Sequence, residues 1–289
     1  MMISNNLTRI VQEIIEEYYP NLHFGYRFGM EMYKNTFVIS SDSRTLLLKF
    51  HNPLIRENKH LLENMYQTCS EKGLIPQIVP SREGAFLVEH KGVIASVQVK
   101  LDDEKTLIDP STLGQRLSQL HSALRCIPCE RVRNHLQRTV ADIFQASIRY
   151  GYEYLHRYVE PVVMTAESPS AQLIHGDLHT HNLIQYNRMI YFIDLDSTTT
   201  FHPISDVAFA AYRLYGFDRE KIQLLLNSYF EGTSFPRFKY EEIWPFVLYN
   251  ILQRILFIRI EEDRGNTNWS YDLPSQNRYL RDVLHHCGV

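Results

Sequence analysis

The sequence predicts an α+β chain of two lobes, a small β-rich one over residues 1–100 and a larger, mostly helical one over residues 101–289. Three observations carry this. Before Leu101, apolar residues fall mostly in short runs of strand length bounded by turn-forming residues. After Leu101 they recur with a helical period over longer stretches. No repeat and no low-complexity linker interrupts the chain, so the change of period itself marks the boundary.

In order along the chain, Leu7, Ile10, Val11, Ile14, Ile15 and Tyr18 share one helical face, and Pro20 ends that helix. "TFVIS" and "TLLLKF" read as two strands split by the turn-like "SDS". "ENKHLLENMYQTCSEKG" reads as a helix ended by Gly73, with Pro76 just beyond. "GAFLVEH" and "VIASVQVKL" pair around Lys91 and Gly92. Beyond Leu101, "STLGQRLSQLHSAL" is helical with Leu113, Leu117 and Leu120 inward and Ser111 as its cap. "VADIFQASIRYGYEYLHRYV" is a second helical stretch. "QLIHGDL", "NLIQY" and "MIYFIDLD" are short strands, and "SDVAFAAYRLYG", "REKIQLLLNSYFEG" and "EEIWPFVLYNILQRILFIRIEED" are helices.

Composition narrows the function classes. Hydrophobic residues make up 44% and charged residues 22%, which gives a globular chain ample core. The formal net charge is −3, so no basic footprint argues for a nucleic-acid partner. Four cysteines are too few and too scattered for a disulfide framework. Cys126 and Cys129 form a C-x-x-C with neither a matching pair for zinc nor a thioredoxin-like setting, and a reducing compartment is expected. The N-terminus shows Glu13, Glu16 and Glu17 rather than a basic-then-apolar leader. The most apolar stretch, Trp244 to Ile260, is broken by Asn250, Gln253, Arg254 and Arg259, so no membrane span is expected. The expected location is the cytoplasm.

The densest chemistry lies in "HGDLHTHN", His175 to Asn182. Alternating histidines and a carboxylate can line one face of a strand as metal ligands, but the spacing only approximates the H-x-H-x-D-H runs of metallohydrolases. A polar turn between strands is the plain reading. A phosphotransfer loop is the third. It needs a carboxylate to take or orient the proton of the attacking hydroxyl, an amide oxygen for Mg²⁺, and a second carboxylate on the same metal. Asp177 and Asn182 are spaced as D-x-x-x-x-N, and Asp194 follows at the end of the apolar strand "YFID". The third reading also requires a lysine on an early strand and a glutamate on the next helix. "LLLKF" supplies Lys49 and "RENKHLL" supplies Glu57. Each feature alone is common; all of them in this order, with these intervening elements, are not.

On "LLLKF", "LGQRLSQLH", "LIHGDLHTHNLI", "YFIDLDS" and "SDVAFA", the chain resembles the aminoglycoside phosphotransferase and choline kinase superfamily of small-molecule kinases, which have a two-lobe protein-kinase-like fold. The resemblance implies a role for each matching residue. Asp177 would be the catalytic base, and Asn182 and Asp194 would hold Mg²⁺. Lys49 would bind the α- and β-phosphates of ATP or GTP, with Glu57 as its ion-pair partner. His175 would prop the loop, Asp196 would support Asp194, and Asp206 would cap a helix and brace the loop backbone. His121 would be a satisfied core histidine. The nucleotide base is expected against Gln98, Val99, Lys100 and Leu101, where a strand ends and leaves backbone groups for a purine edge.

The chain also departs from the pattern. "FGMEMYKNTFV" stands where a nucleotide-covering loop belongs but has one glycine, Gly29, and no G-x-G-x-x-G. Thr180 and His181 replace the residues usual beside the catalytic aspartate, and His181 is a candidate substrate contact.

The function implied is transfer of a γ-phosphoryl group to a hydroxyl of a small molecule, first of all an antibiotic of aminoglycoside type. The alternatives are a metabolic kinase of choline, homoserine or a sugar, or a silent kinase-like binding protein such as those of spore coats. Retention of Lys49, Asp177, Asn182 and Asp194 argues against the silent reading. The absence of D-F-G and A-P-E segments argues against a protein kinase. Glu261, Glu262 and Asp263 end a long helix, where carboxylates oppose the macrodipole, and only Arg264 stands beside them in the sequence. A cationic acceptor held by this run is one reading; a solvated helix end, as most charge runs are, is the plain one.

Overall fold

The computed structural model describes residues 2–22, 36–40, 44–51, 58–104, 107–128, 140–165, 170–235 and 237–286. Glu57, Gly29 and Cys129 lie outside the described residues. The chain forms two compact units, Met1–Lys105 with Ile184–Asp196, and Thr106–Leu183 with Ser197–Val289.

The first unit is built on a five-stranded antiparallel sheet of β1 (Thr36–Ser40), β2 (Thr45–Phe50), β3 (Ile78–Val79), β4 (Val88–His90) and β5 (Val93–Val99). The order is β1-β2-β5-β3, with β4 also paired to β5. Lys91 and Gly92 take positive φ of 47° and 79°, the twist a two-residue hairpin needs between β4 and β5. Helix α1 (Met2–Tyr18) lays Val11, Ile14 and Ile15 against Phe37, Ile39, Leu46, Leu48 and Val97 of the sheet. Helix α2 (Lys59–Glu71) buries Leu62, Met65, Tyr66 and Cys69.

The hairpin of β7 (Leu183–Tyr186) and β8 (Met189–Phe192) turns at Asn187 and Arg188, both at positive φ. It belongs with the sheet unit although a linear division at residue 101 leaves it with the helices. Backbone bonds explain this. Glu104 N donates to Gln185 O at 2.9 Å, and Phe192 N donates to Leu74 O at 2.9 Å. The amide of Gln185 also donates to Asp103 Oδ1 at 3.1 Å.

The second unit holds α3 (Pro110–Arg125), α4 (Val140–Arg149), α5 (His156–Met164), α6 (Ile204–Tyr215), α7 (Arg219–Glu231), α8 (Trp244–Asp263) and α9 (Leu273–His286). A short antiparallel pair, β6 (Gln172–Ile174) and β9 (Thr199–Phe201), lies among them. Helices α3 and α7 approach so closely that a Cβ on Gly114 would meet the Leu225 carbonyl. Helix α8 has the length and apolarity of a membrane span, and it packs on α5, α6 and α9 with Val247, Leu248, Ile251, Leu252, Ile255 and Leu256 buried.

Four local expectations are corrected. Asp109, not Ser111, caps α3: its side chain accepts from Thr112 N at 2.7 Å, and Pro110 occupies the first helical position. The stretch from Val140 is broken at Gly151, whose φ of 78° no helix accommodates, so it becomes α4 and α5. "GAFLVEH" contributes only Val88–His90 as a strand. Strands β3 and β9 and helix α9 were not expected. Two- and three-residue strands carry almost no periodic signal, and α9 places Gln276 on its buried stripe between Leu273 and Leu280.

Candidate active site

In the helical unit, β6 delivers the chain to His175, which is fully buried. Gly176 follows at φ 80°, a left-handed turn that glycine adopts without strain. Asp206, in the first turn of α6, holds this turn from beneath. Its two carboxylate oxygens accept from His175 N at 2.7 Å and from Gly176 N at 2.9 Å. The same carboxylate meets His121 Nε2 at 3.0 Å, and His121 Nδ1 meets Tyr229 Oη at 2.8 Å. Asp206 thus holds the loop backbone through two hydrogen bonds. It caps no helix, because Pro203 stands at the start of α6 and no side chain caps there. His121 is a core histidine, and it ties α3 to this brace.

The turn presents Asp177. Its amide donates to His175 Nδ1 at 3.3 Å, and Asn182 Nδ2 donates to its backbone carbonyl at 2.7 Å and to Oδ2 at 3.3 Å. Asn182 is buried, and with its amide nitrogen so engaged its carbonyl oxygen is left for a hard cation. His179 Nε2 lies 3.4 Å from Asp177 Oδ2, while its Nδ1 accepts from His181 N at 3.1 Å, so the His179 proton sits on the side of the aspartate. His181 itself is exposed. Burial pushes the Asp177 carboxyl up, but the contact with His179 and the charges of His179, His175 and Arg254 outweigh it and hold the group below its ordinary value.

That balance sets a pH dependence. A depressed carboxylate stays ionised until the pH falls through its lowered value, so activity that needs ionised Asp177 persists well into acid. His179→Ala leaves burial less opposed, and the acid limb of kcat/KM is expected to move to higher pH. A pH–rate profile checks this, and an unmoved limb shows that His179 does not govern the ionisation.

In the sheet unit, Lys49 sits in the middle of the antiparallel pairing of β2, opposite Thr36 and Ser96. Its Nζ lies 2.7 Å from Asp194 and 3.1 Å from Asp196. Burial draws the Lys49 ammonium down, but Tyr66, Asp196 and Asp194 outweigh it and hold the group above its ordinary range. Asp194 follows β8 with φ of 63°, a conformation rare outside glycine and enriched at functional positions. Asp196 also meets His51 Nδ1 at 2.7 Å, and His51 Nε2 meets Ser96 Oγ at 2.9 Å. The carboxylates of Asp194 and Asp196 thus lie beside Lys49, while Glu57, the partner expected for it, lies outside the described residues.

Two expectations change at the atomic level. The amides of Val99 and Lys100 are not open: they donate to Gln77 O at 2.8 Å and to Thr45 O at 3.0 Å. Gln98 is buried and paired in register with Leu47 and Ile78. A purine edge on this segment would have to use Leu101 or backbone carbonyls. The acidic run at the end of α8 is already matched. Glu261 meets Arg264 and Asn266, each at 2.8 Å, and Glu262 meets Arg259 at 3.1 Å. Asp263 meets Arg149 and the Tyr150 hydroxyl. The cost that suggested a cationic ligand is offset within the unit, by side chains distant in sequence as well as near.

Sequence reasoning missed His51, Ser96, His179 and Arg254 as members of these networks. His51 was legible, since residues two apart on a strand share a face and Lys49 was already named. Arg254 was not, because only packing brings α8 to the loop.

The phosphotransferase enzyme family matches residues 33–242. No curated protein matches the sequence. Among solved structures, a spectinomycin phosphotransferase in complex with ADP and spectinomycin superposes with TM-score 0.62 at 15% identity, covering 96% of this chain and 97% of that one. An amicoumacin kinase in complex with AMP-PNP and Ca²⁺ gives 0.66 at 14% identity, covering 96% and 92%. A choline/ethanolamine kinase family protein from Mesorhizobium loti gives 0.68 at 14% identity, covering 98% and 95%. At these identities the likeness is one of fold.

Proposed function

The chain belongs to the phosphotransferase enzyme family and is a small-molecule kinase, and from that premise we propose that it transfers the γ-phosphoryl group of ATP or GTP to a hydroxyl of a small acceptor. The observation that carries this is the hold on Asp177: a braced turn, an asparagine on its backbone, and a histidine that keeps it ionised. The acceptor oxygen bonds to the γ-phosphorus, the bond to the β–γ bridging oxygen breaks, and the nucleoside diphosphate leaves. Asp177 orients the hydroxyl and receives its proton. Lys49, kept charged by its carboxylate neighbours, would meet the α- and β-phosphates.

Asn182 and Asp194 offer oxygen donors, which suit Mg²⁺. When bound, the metal supplies charge neutralisation on the phosphates. Asp196, itself bonded to His51, shares Lys49 with Asp194.

The acceptor is read as an antibiotic or a small metabolite. Structural neighbours that bind spectinomycin and amicoumacin favour the first, and choline and aminopropanol kinases of similar likeness favour the second. The test is a panel of hydroxylated antibiotics, amino alcohols, hydroxy acids and sugars, incubated with the protein, Mg²⁺ and ATP or GTP. Mass spectrometry should find one acceptor gaining a phosphoryl group with matching release of ADP or GDP. Nucleotide turnover independent of every acceptor would count against the proposal.

A further inference from the structure

Arg254 of α8 is a basic side chain whose charge favours the ionised Asp177 carboxylate from outside the loop. One turn earlier on that helix, Asn250 Nδ2 donates to Ser205 O at 3.2 Å, directly beside Asp206, so this stripe of α8 faces the braced loop. The guanidinium is held rigidly. Its Nε donates to Asp272 Oδ2 at 2.9 Å, and its carbon lies 4.9 Å from the Trp269 ring centre and 5.6 Å from that of Phe257. Asp272 is held in turn by Gln276 Nε2, at 3.2 and 3.3 Å from its two oxygens. The side chain of Arg254 keeps 26% exposure, and its two terminal nitrogens make no hydrogen bond to a described residue. Two buried polar atoms flank Asp272 with no partner among the described residues, Ser270 Oγ and Gln276 Oε1.

We propose that this cluster is an acceptor subsite in which the terminal nitrogens of Arg254 bind a carboxylate of the substrate whose hydroxyl Asp177 orients. The inference rests on the phosphotransferase reading and narrows its acceptor to a hydroxylated carboxylic acid. A planar guanidinium with Nε already anchored offers two parallel N–H donors, the fork that a carboxylate matches. A dianionic phosphate fits less well, because one cation would then face its charge together with those of Asp177 and Asp272. A cationic acceptor would meet Arg254 as a like charge.

The test uses acceptors matched in size and differing in charge: gluconate, glucose and glucosamine, and glycerate, glycerol and 3-amino-1,2-propanediol. Wild-type kcat/KM should be highest for the carboxylate of each set that is phosphorylated, and the best acceptor of the wider panel should carry a carboxylate. Arg254→Gln should raise the KM for that acceptor by about 10- to 100-fold, the scale of a paired charged hydrogen bond, and leave the nucleotide KM in place. Arg254→Lys, which keeps the charge without the fork, should recover part of the loss and guards against a variant that simply fails to fold. A neutral or cationic best acceptor, or an unchanged KM in Arg254→Gln, overturns the subsite and leaves the phosphotransferase reading standing. Failure of the wild type to phosphorylate any acceptor in the panel overturns that reading, and the subsite with it.

Discussion

Replacing Asp177 by alanine is expected to lower turnover by roughly 10²–10⁴-fold, the range of a positioned acid–base group, with nucleotide affinity close to wild type. The carboxylate is the group that Asn182 and His179 hold in place. Removing it takes away the proton acceptor but none of the bonds that Asp206 makes to the loop backbone, so the turn should keep its shape. The loss should therefore fall on kcat rather than on stability or nucleotide KM. Steady-state kinetics with the best acceptor, beside a thermal melt and a nucleotide titration, separates these. A variant with near-normal turnover would remove Asp177 from the mechanism.

Asp206→Ala is expected to cost about 3–5 kcal/mol of stability, the scale of breaking a buried charged network. Asp206 is 1% exposed and serves three donors, the amides of His175 and Gly176 and the ring of His121. Its removal takes that acceptor away from three buried donors. Asp206→Asn keeps one acceptor oxygen and should cost less. Both variants should also lose turnover, because the turn that presents Asp177 is then unbraced. Urea unfolding measures the first effect and kinetics on the folded fraction the second. A loss under about 1 kcal/mol would mean that the loop is held by other contacts.

Much of the site was legible because phosphotransfer chemistry imposes residue types at short, fixed spacings. Asp177 and Asn182 lie on one loop, and Asp194 ends the next hairpin, so their grouping survives in one dimension. Lys49 was legible because phosphotransfer needs a lysine on an early strand and "LLLKF" supplies one, and in the structure two carboxylates offset its burial. The acidic run at the end of α8 misled for the opposite reason. Arg149 and Tyr150 neutralise Asp263 from more than a hundred residues away, and no local pattern records such a partner.

By itself the sequence determined the two-lobe α+β plan, most of the helices, the hairpin around Lys91, and the residue types of the phosphotransfer loop. These follow from periodicity, turn chemistry and short motifs, all of which act between near neighbours in the chain. Only the tertiary structure decided that residues 184–196 join the sheet unit, that Asp194 and Asp196 flank Lys49, that His121 and Tyr229 back Asp206, and that Arg254 acts on Asp177. Each of these depends on burial, which makes a charge or an amide costly until a partner from elsewhere in the chain satisfies it, and that partner is chosen by packing rather than by sequence distance.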